Sequence, residues 1–418
     1  MTTFRAGFGC ADITPRLGCR LTGYSNRPGS ATGVHDPLLA RALVLERERD
    51  RYALIACELL YTSEPTTQAI RDAVQRRLGI PPEHVFVAAI HTHSGPDDRD
   101  PSNWACPLAE LVADAVEEAS GRLQPARLGS GFGTLYGYSI NRRWLDRPVD
   151  PAVGILRVDD LQGNPLGLVC NFACHGVVMG PDNLLISADW PGQACRNLQA
   201  AGFGECMYLQ GGCGDINPLV AGVRARLESG HTVIAIGNIG AWYGERDDPE
   251  AWNIGDRTGG TFDEVAELAA AFAAEGERVA QRIHTQDVER LWCKRLTVDA
   301  ARSSDEPVMP VPEDRKRTPL FDEQGRILSE VMLLGIGDIL LVGEPGEVFA
   351  ETSVRLRTRL RLLGYRTPLL VSYTNGAIGY LPEPEAFDEG GYEPISPTLH
   401  GISRYYQQRV WEAVRAAL

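Results

Sequence analysis

Apolar runs of strand length alternate with helix-length stretches through most of the 418 residues. A strand must pair and a helix must bury one face, so this alternation commits the chain to sheets with helices packed on them. Residues 42–48 (ALVLERE) and 52–58 (YALIACE) flank a charged turn, which predicts a hairpin. Ser63, with Pro65 close behind, opens a helix that Gly79 ends. HVFVAAI reads as a buried strand running straight into His91, and Pro107 starts a second helix ended by Gly121. VGILRVDD and PLGLVCNFA form a second hairpin-like pair around LQGN, and the latter runs into His175. Pro191 opens another helix, and CMYLQ is a short strand leading into GGCGDINP. The longest helical pattern covers 262–284, with Val265, Leu268, Ala269 and Phe272 at its apolar positions. VMLLGIGDILLVG reads as two strands turned at Gly337 and Asp338, ending at GEPGE, where a helix is expected to begin. PLLVSYT runs into NGAIGYLP, and a last helix from about Ser403 carries Tyr406, Val410, Trp411 and Val414 on one face. Residues 219–261 and 300–327 read as insertions. The expected fold is α/β, a mixed β-sheet flanked by helices, in one large catalytic domain spanning 1–418.

Bulk properties remove several function classes. The net charge of −14 repels phosphate backbones and anionic membranes. The densest basic run, Arg315 to Arg317, sits beside Glu313 and Asp314, so no nucleic-acid partner is expected. No apolar run reaches the roughly 18 residues of a membrane span. The start, MTTFRAGFGCADITP, lacks a basic patch followed by an apolar stretch, so a cytoplasmic protein is expected. None of the ten cysteines forms a CxxC pair, and they read as reduced, buried small residues. The 44 glycines and 27 prolines predict long shaped loops, where enzymes carry their chemistry.

Four metal-capable side chains each follow a strand-like run: His91, His175, Glu347 and Tyr380. In open α/β folds ligands gather at the carboxyl ends of strands, so these four form a constellation. Each has an ordinary alternative when taken singly. In AIHTHSGP, His91 and His93 are two apart and point the same way if the chain stays extended, one for a metal and one for proton transfer; both can instead be surface histidines. His175 in NFACHGVVMG is a ligand or a structural histidine. Glu347 is a ligand or a carboxylate favoured by a helix dipole. Tyr380 is a ligand or a packed aromatic. GGCGDINP lacks the Lys of a P-loop. Its backbone N–H groups, Gly214 among them, are candidates for holding a substrate oxyanion, and Asp215 for orienting a histidine; a tight turn is the plain alternative. Neither GxSxG nor HExxH occurs.

In order and combination, these motifs resemble those of the neutral/alkaline (non-lysosomal) ceramidase family, in its catalytic N-terminal domain. AIHTHSGP resembles the first histidine motif, and NFACHGVVMG followed by LLISADWPG the second. GGCGDINP resembles the glycine-rich motif, EPGEVF the glutamate motif, and GYLPEPEAFDEGGYEP the tyrosine segment. The resemblance implies that His91, His175, Glu347 and Tyr380 bind Zn2+ and that His93 assists proton transfer beside it. It further implies that Arg142, in SINRRW, holds the scissile group and that Tyr392 is a second tyrosine at the catalytic centre. Asp189 and Asp215 are read as supports behind the ligands, and Asn217 and Gly214 as substrate contacts. Asn217 stands where the family usually has a serine, so a serine nucleophile is not carried over. YEP replaces the usual YEG at Tyr392. The chain also reads as a short form without the family's C-terminal immunoglobulin-like domain.

The expected activity is zinc-dependent hydrolysis of an amide C–N bond in an N-acyl compound by metal-activated water. Two alternatives stay open. One is hydrolysis of an ester or cyclic amide of a small non-lipid metabolite by the same centre. The other, motivated by Asn217, is a metal-stabilised binding protein without catalysis. The expected partner is a small acyl-amide or acyl-ester substrate, and an oligomer is compatible with the sequence.

Overall fold

Local signals set the element ends. Ser63 and Gly79 bracket α1 (Glu64–Leu78), and Gly79 closes it in the left-handed conformation at φ 69°. Pro107 precedes α2 (Leu108–Gly121). A capping box between Thr261 and Glu264 starts α4 (Phe262–Ala280), and α3 spans Asp189–Ala200. The computed structural model describes residues 3–25, 27–143, 147–221, 224, 260–307, 326–390 and 393–418. Most of the two predicted insertions, including Arg315 to Arg317, and Tyr392 lie outside the described residues.

The main sheet has eight described strands: β1 (Arg5–Asp12), β2 (Leu39–Arg47), β3 (Asp50–Cys57), β4 (Val85–Ala89), β5 (Gln124–Thr134), β6 (Ala152–Asp160), β7 (Pro165–Phe172) and β8 (Glu205–Gln210). Their spatial order is β8-β7-β6-β5-β1-β2-β3-β4. The outermost pairs, β7 with β8 and β3 with β4, are parallel, and every pair between them is antiparallel. The sheet curls, so that β8 packs against β4. Helix α2 packs on β1 and β2 and against α1, while α4 lies on β5 and β6 and against α3.

A second sheet, not separated from the first in the sequence, runs β9 (Leu291–Asp299), β10 (Leu328–Ile336), β11 (Ile339–Gly343) and β12 (Thr367–Val371) in that order. Strands β11 and β12 are parallel. Alternate residues of this sheet face two cores. Met332, Leu334, Leu341, Leu369 and Val371 join the main core, while Val331, Leu333, Leu340, Val342 and Leu370 pack against helices α5 (Ala350–Leu362) and α6 (Tyr406–Ala417). Burial of both faces explains why VMLLGIGDILLVG is apolar without alternation.

Two expectations shift. Glu347 does not open a helix: Glu347–Val348 forms a short parallel ladder with Tyr380–Leu381, and α5 starts three residues later. The last helix begins at Tyr406, with Tyr406, Val410 and Val414 buried. Among the described residues no helix is long and apolar enough to cross a membrane. All ten cysteines are free thiols, seven of them buried.

Candidate metal and catalytic centre

Strands of a parallel pair send their outgoing chains to the same edge. The three parallel pairs of the two larger sheets do so at one place. His91 follows β4, and its N–H donates to the carbonyl of Leu59, just past β3. His175 follows β7, and the GGCGD turn follows β8. Glu347 follows β11, and the segment Tyr373–Tyr380 follows β12. The two sheets are joined there by hydrogen bonds from Ser372 to the Gln210 carbonyl and from Ala89 to the Tyr373 carbonyl. The shared edge inferred from pattern is therefore real.

His91 does not continue an extended strand. It lies at φ 66°, a left-handed conformation that costs a β-carbon residue about 1–3 kcal/mol and is held here by its N–H on the Leu59 carbonyl and its ring on the Leu60 carbonyl. The turn still brings His93 Nε2 to 3.3 Å from His91 Nε2. His91 Nδ1 lies 2.8 Å from the Leu60 carbonyl, and His175 Nδ1 lies 2.9 Å from the Ile216 carbonyl. A carbonyl only accepts, so each Nδ1 carries the proton and each Nε2 presents a lone pair. Those lone pairs face one carboxylate oxygen: Glu347 Oε2 is 2.9 Å from His175 Nε2 and 3.5 Å from His91 Nε2. Burial alone would raise the Glu347 carboxyl, but the neighbouring His91 and His175 rings hold it well below its ordinary value. Burial pushes His175 down to about 4, against the pull of Glu347. It also drives His93 well below its ordinary range, reinforced by His91 and His175. His93 Nδ1 is buried without a partner among the described residues.

The Cys213 thiol belongs to the same cluster: its sulfur and nitrogens of His91 and His175 lie within 4.8 Å of one another. Glu347 is the better third donor. Its Oε2 touches both rings and is ionised, whereas burial holds the Cys213 thiol protonated, well above its ordinary pKa. Two imidazole nitrogens, each fixed by a backbone carbonyl, with one carboxylate oxygen between them form a donor set that fits a divalent cation.

Arg142 closes one side. Its Nη2 donates to the Tyr380 hydroxyl at 2.9 Å, its Nε to Glu393 at 2.8 Å and its Nη1, more weakly, to Asn217 Oδ1 at 3.4 Å. Burial would lower the guanidinium, but Tyr380, Glu393 and Glu347 together hold it well above its ordinary value. Asn217 itself is buried in a short ladder with Ile140.

Two supporting assignments, Asp215 as the orienter of a histidine and Gly214 as a substrate contact, need correction, while Asp189 lies behind His175 as a support. Asp215 does not orient a histidine, because both ring Nδ1 atoms are held by carbonyls. Its carboxylate accepts from Asn141 Nδ2 at 2.7 Å and from the Ala350 N–H at 2.9 Å, and its carbonyl accepts from the Arg142 N–H at 2.8 Å. It thus ties together the chains carrying Arg142 and Glu347, and burial pushes its pKa up to about 6. Gly214 offers no N–H to a substrate, since that group donates to the Val348 carbonyl at 2.9 Å, and a β-carbon there would press on the backbone of Glu347. Asp189 accepts from the N–H groups of Val178, Met179 and Trp190, shaping the loop behind His175, whose carbonyl takes the Trp190 indole N–H. Burial pushes its pKa up to about 6.

Three residues at the centre are not singled out by the sequence motifs. Tyr373 donates to Glu347 Oε1 at 2.5 Å and stacks on His91. Glu393 pairs with both Arg142 and Arg143. Gly23, at φ 98°, lies where a β-carbon would run into the His93 ring. Adjacency to Tyr392 in the sequence was the one available signal for Glu393.

The chain is similar in sequence and fold to known proteins. A family model described as neutral/alkaline non-lysosomal ceramidase, N-terminal, matches residues 4–99. The neutral ceramidase of Mycobacterium tuberculosis is 25% identical over a region covering 94% of this chain and 74% of that protein. The neutral ceramidase of Pseudomonas aeruginosa is 29% identical over 51% of this chain and 37% of its own length. The crystal structure of neutral ceramidase from Pseudomonas aeruginosa superposes with a TM-score of 0.75 at 20% identity, covering 100% of this chain and 75% of that one.

Proposed function

The chain resembles the neutral/alkaline ceramidases in sequence and has their fold, and from that premise we propose that it is a zinc-dependent hydrolase cleaving the amide bond of an N-acyl compound. The observation that carries the reading is the meeting of acceptors: two Nε2 lone pairs face one carboxylate oxygen at 2.9 and 3.5 Å. Acceptors repel at such distances unless a positive charge lies between them. His91, His175 and Glu347, with Tyr380 beside Glu347, would hold zinc, which suits nitrogen and oxygen donors. When bound, zinc supplies Lewis acidity and brings water toward a pKa of about 7.

The chain's own residues supply the rest. His93, neutral at neutral pH, is placed to accept a proton at a ring nitrogen and return it to the leaving amine. Arg142, fixed by Glu393 and Tyr380, presents a buried positive charge for the oxyanion that develops on the scissile carbonyl. Tyr392 is assigned as a second donor to that oxygen. Asn217 carries no nucleophile, so water attacks, and its amide is left to orient substrate.

The test is a hydrolysis panel of N-acyl amines including ceramide, simple esters and lactams, run before and after chelation. Turnover of N-acyl amines that chelation abolishes is expected. Selective turnover of esters or lactams moves the assignment to a small metabolite, and metal binding without any turnover leaves a binding protein.

A further inference from the structure

We infer that Tyr373 sets the denticity of the Glu347 carboxylate, and with it the strength and selectivity of cation binding; this rests on the metal reading above. The Tyr373 side chain contacts both His91 and Glu347 without being counted a ligand. Its hydroxyl donates to Glu347 Oε1 at 2.5 Å, which leaves Oε2 facing the two histidines. Its ring stacks on His91, with centroids 4.4 Å apart and planes 21° from parallel. Its backbone joins the chains that lead into both residues. The Tyr373 N–H donates to the Gly346 carbonyl at 3.1 Å, and its carbonyl accepts from Ala89 at 3.2 Å. It holds a left-handed φ of 50° to do so.

A carboxylate can give a cation one oxygen or both. A phenol proton on Oε1 forms a charge-assisted hydrogen bond and draws that oxygen away from the cation, so Glu347 binds through Oε2 alone. Single-oxygen binding suits a small four-coordinate ion such as Zn2+. Cations that take more oxygen ligands gain from a two-oxygen carboxylate, Ca2+ being the plainest case. Tyr373 is thus a positioning residue that favours the smaller ion.

The experiment is competition titration of Zn2+ and Ca2+ on the full chain, as wild type and as Tyr373→Phe, which keeps the ring and removes only the hydroxyl. Zinc affinity is expected to fall about 10–100-fold. Calcium affinity is expected to stay or rise, so the ratio of the two narrows. A purely structural role would lower both by one factor, and that result overturns the inference, as does unchanged zinc affinity. If wild type itself binds no zinc, the metal reading fails first and takes this inference with it. A crystal structure of zinc-loaded wild type gives a check independent of the variant. Glu347 Oε1 remaining on Tyr373 is expected, and both oxygens on the ion overturns the proposal.

Discussion

Replacing Glu344 with Gln isolates one buried carboxyl in the segment that carries Glu347. Glu344 is 1% exposed. Its Oε2 accepts from Gln407 Nε2 at 2.8 Å. Burial pushes its pKa from 4.5 up to about 7, only partly offset by Gln407, and the nearby Glu383 carboxylate adds to the rise. At about 1.4 kcal/mol per pH unit, ionising Glu344 in the folded chain costs on the order of 3 kcal/mol. Below about pH 4.5 both folded and unfolded chains hold the proton, and the group costs nothing. As pH rises toward about 7 the unfolded chain releases its proton first, so stability falls; above that the penalty is constant. Glutamine keeps a polar group beside Gln407 and never ionises. Glu344→Gln should therefore match wild type near pH 4.5 and exceed it by roughly 3 kcal/mol near pH 7.5, as read by urea unfolding at both pH values. An advantage equal at the two pH values, or none, refutes the reasoning.

Other changes probe the centre. His91→Ala should lose both bound metal and activity, whereas His93→Ala should keep the metal and lose activity; elemental analysis beside an activity assay separates them, and identical behaviour contradicts the division of roles. Glu393→Gln leaves the Arg142 and Arg143 side chains, 7% and 5% exposed, without their shared anion. Breaking such a buried pair costs about 3–5 kcal/mol, to be seen in chemical unfolding, and a loss under 1 kcal/mol would refute it. Gly23→Ala should displace the His93 ring and lower kcat by about a hundredfold with metal content intact; unchanged kcat would show that the ring has room.

The long apolar runs were legible because they fill two-sided cores. The hairpin at β2 and β3, the caps at Ser63 and Gly79, and the strand pair turned at Gly337 all stand where the sequence puts them. Strand β1 was not, because RAGFGCAD is rich in small residues: Gly7 and Gly9 carry no side chain so that α2 can lie directly on the strand. Strand β5, QPARLGSGFGT, hides in the same way beneath α4. At the centre, His91, His175, Glu347 and Tyr380 could be picked out because each follows a strand-like run. The direction of those strands could not, and it is their parallel pairing that brings the four together. Tyr373 sits inside PLLVSYT and looks like a packed aromatic until β12 lies beside β11 and turns its hydroxyl onto Glu347. Asp215 and Gly214 look like a catalytic turn in sequence, but Asp215 is committed to Asn141 and the Ala350 N–H and Gly214 to the Val348 carbonyl.

Anomalous X-ray scattering at the zinc absorption edge, from crystals of the purified chain equilibrated with zinc, tests the central claim most directly. One strong peak bounded by the Nε2 atoms of His91 and His175 and by Oε2 of Glu347 is the predicted result. No peak there, with the three side chains ordered and in mutual contact, would contradict it.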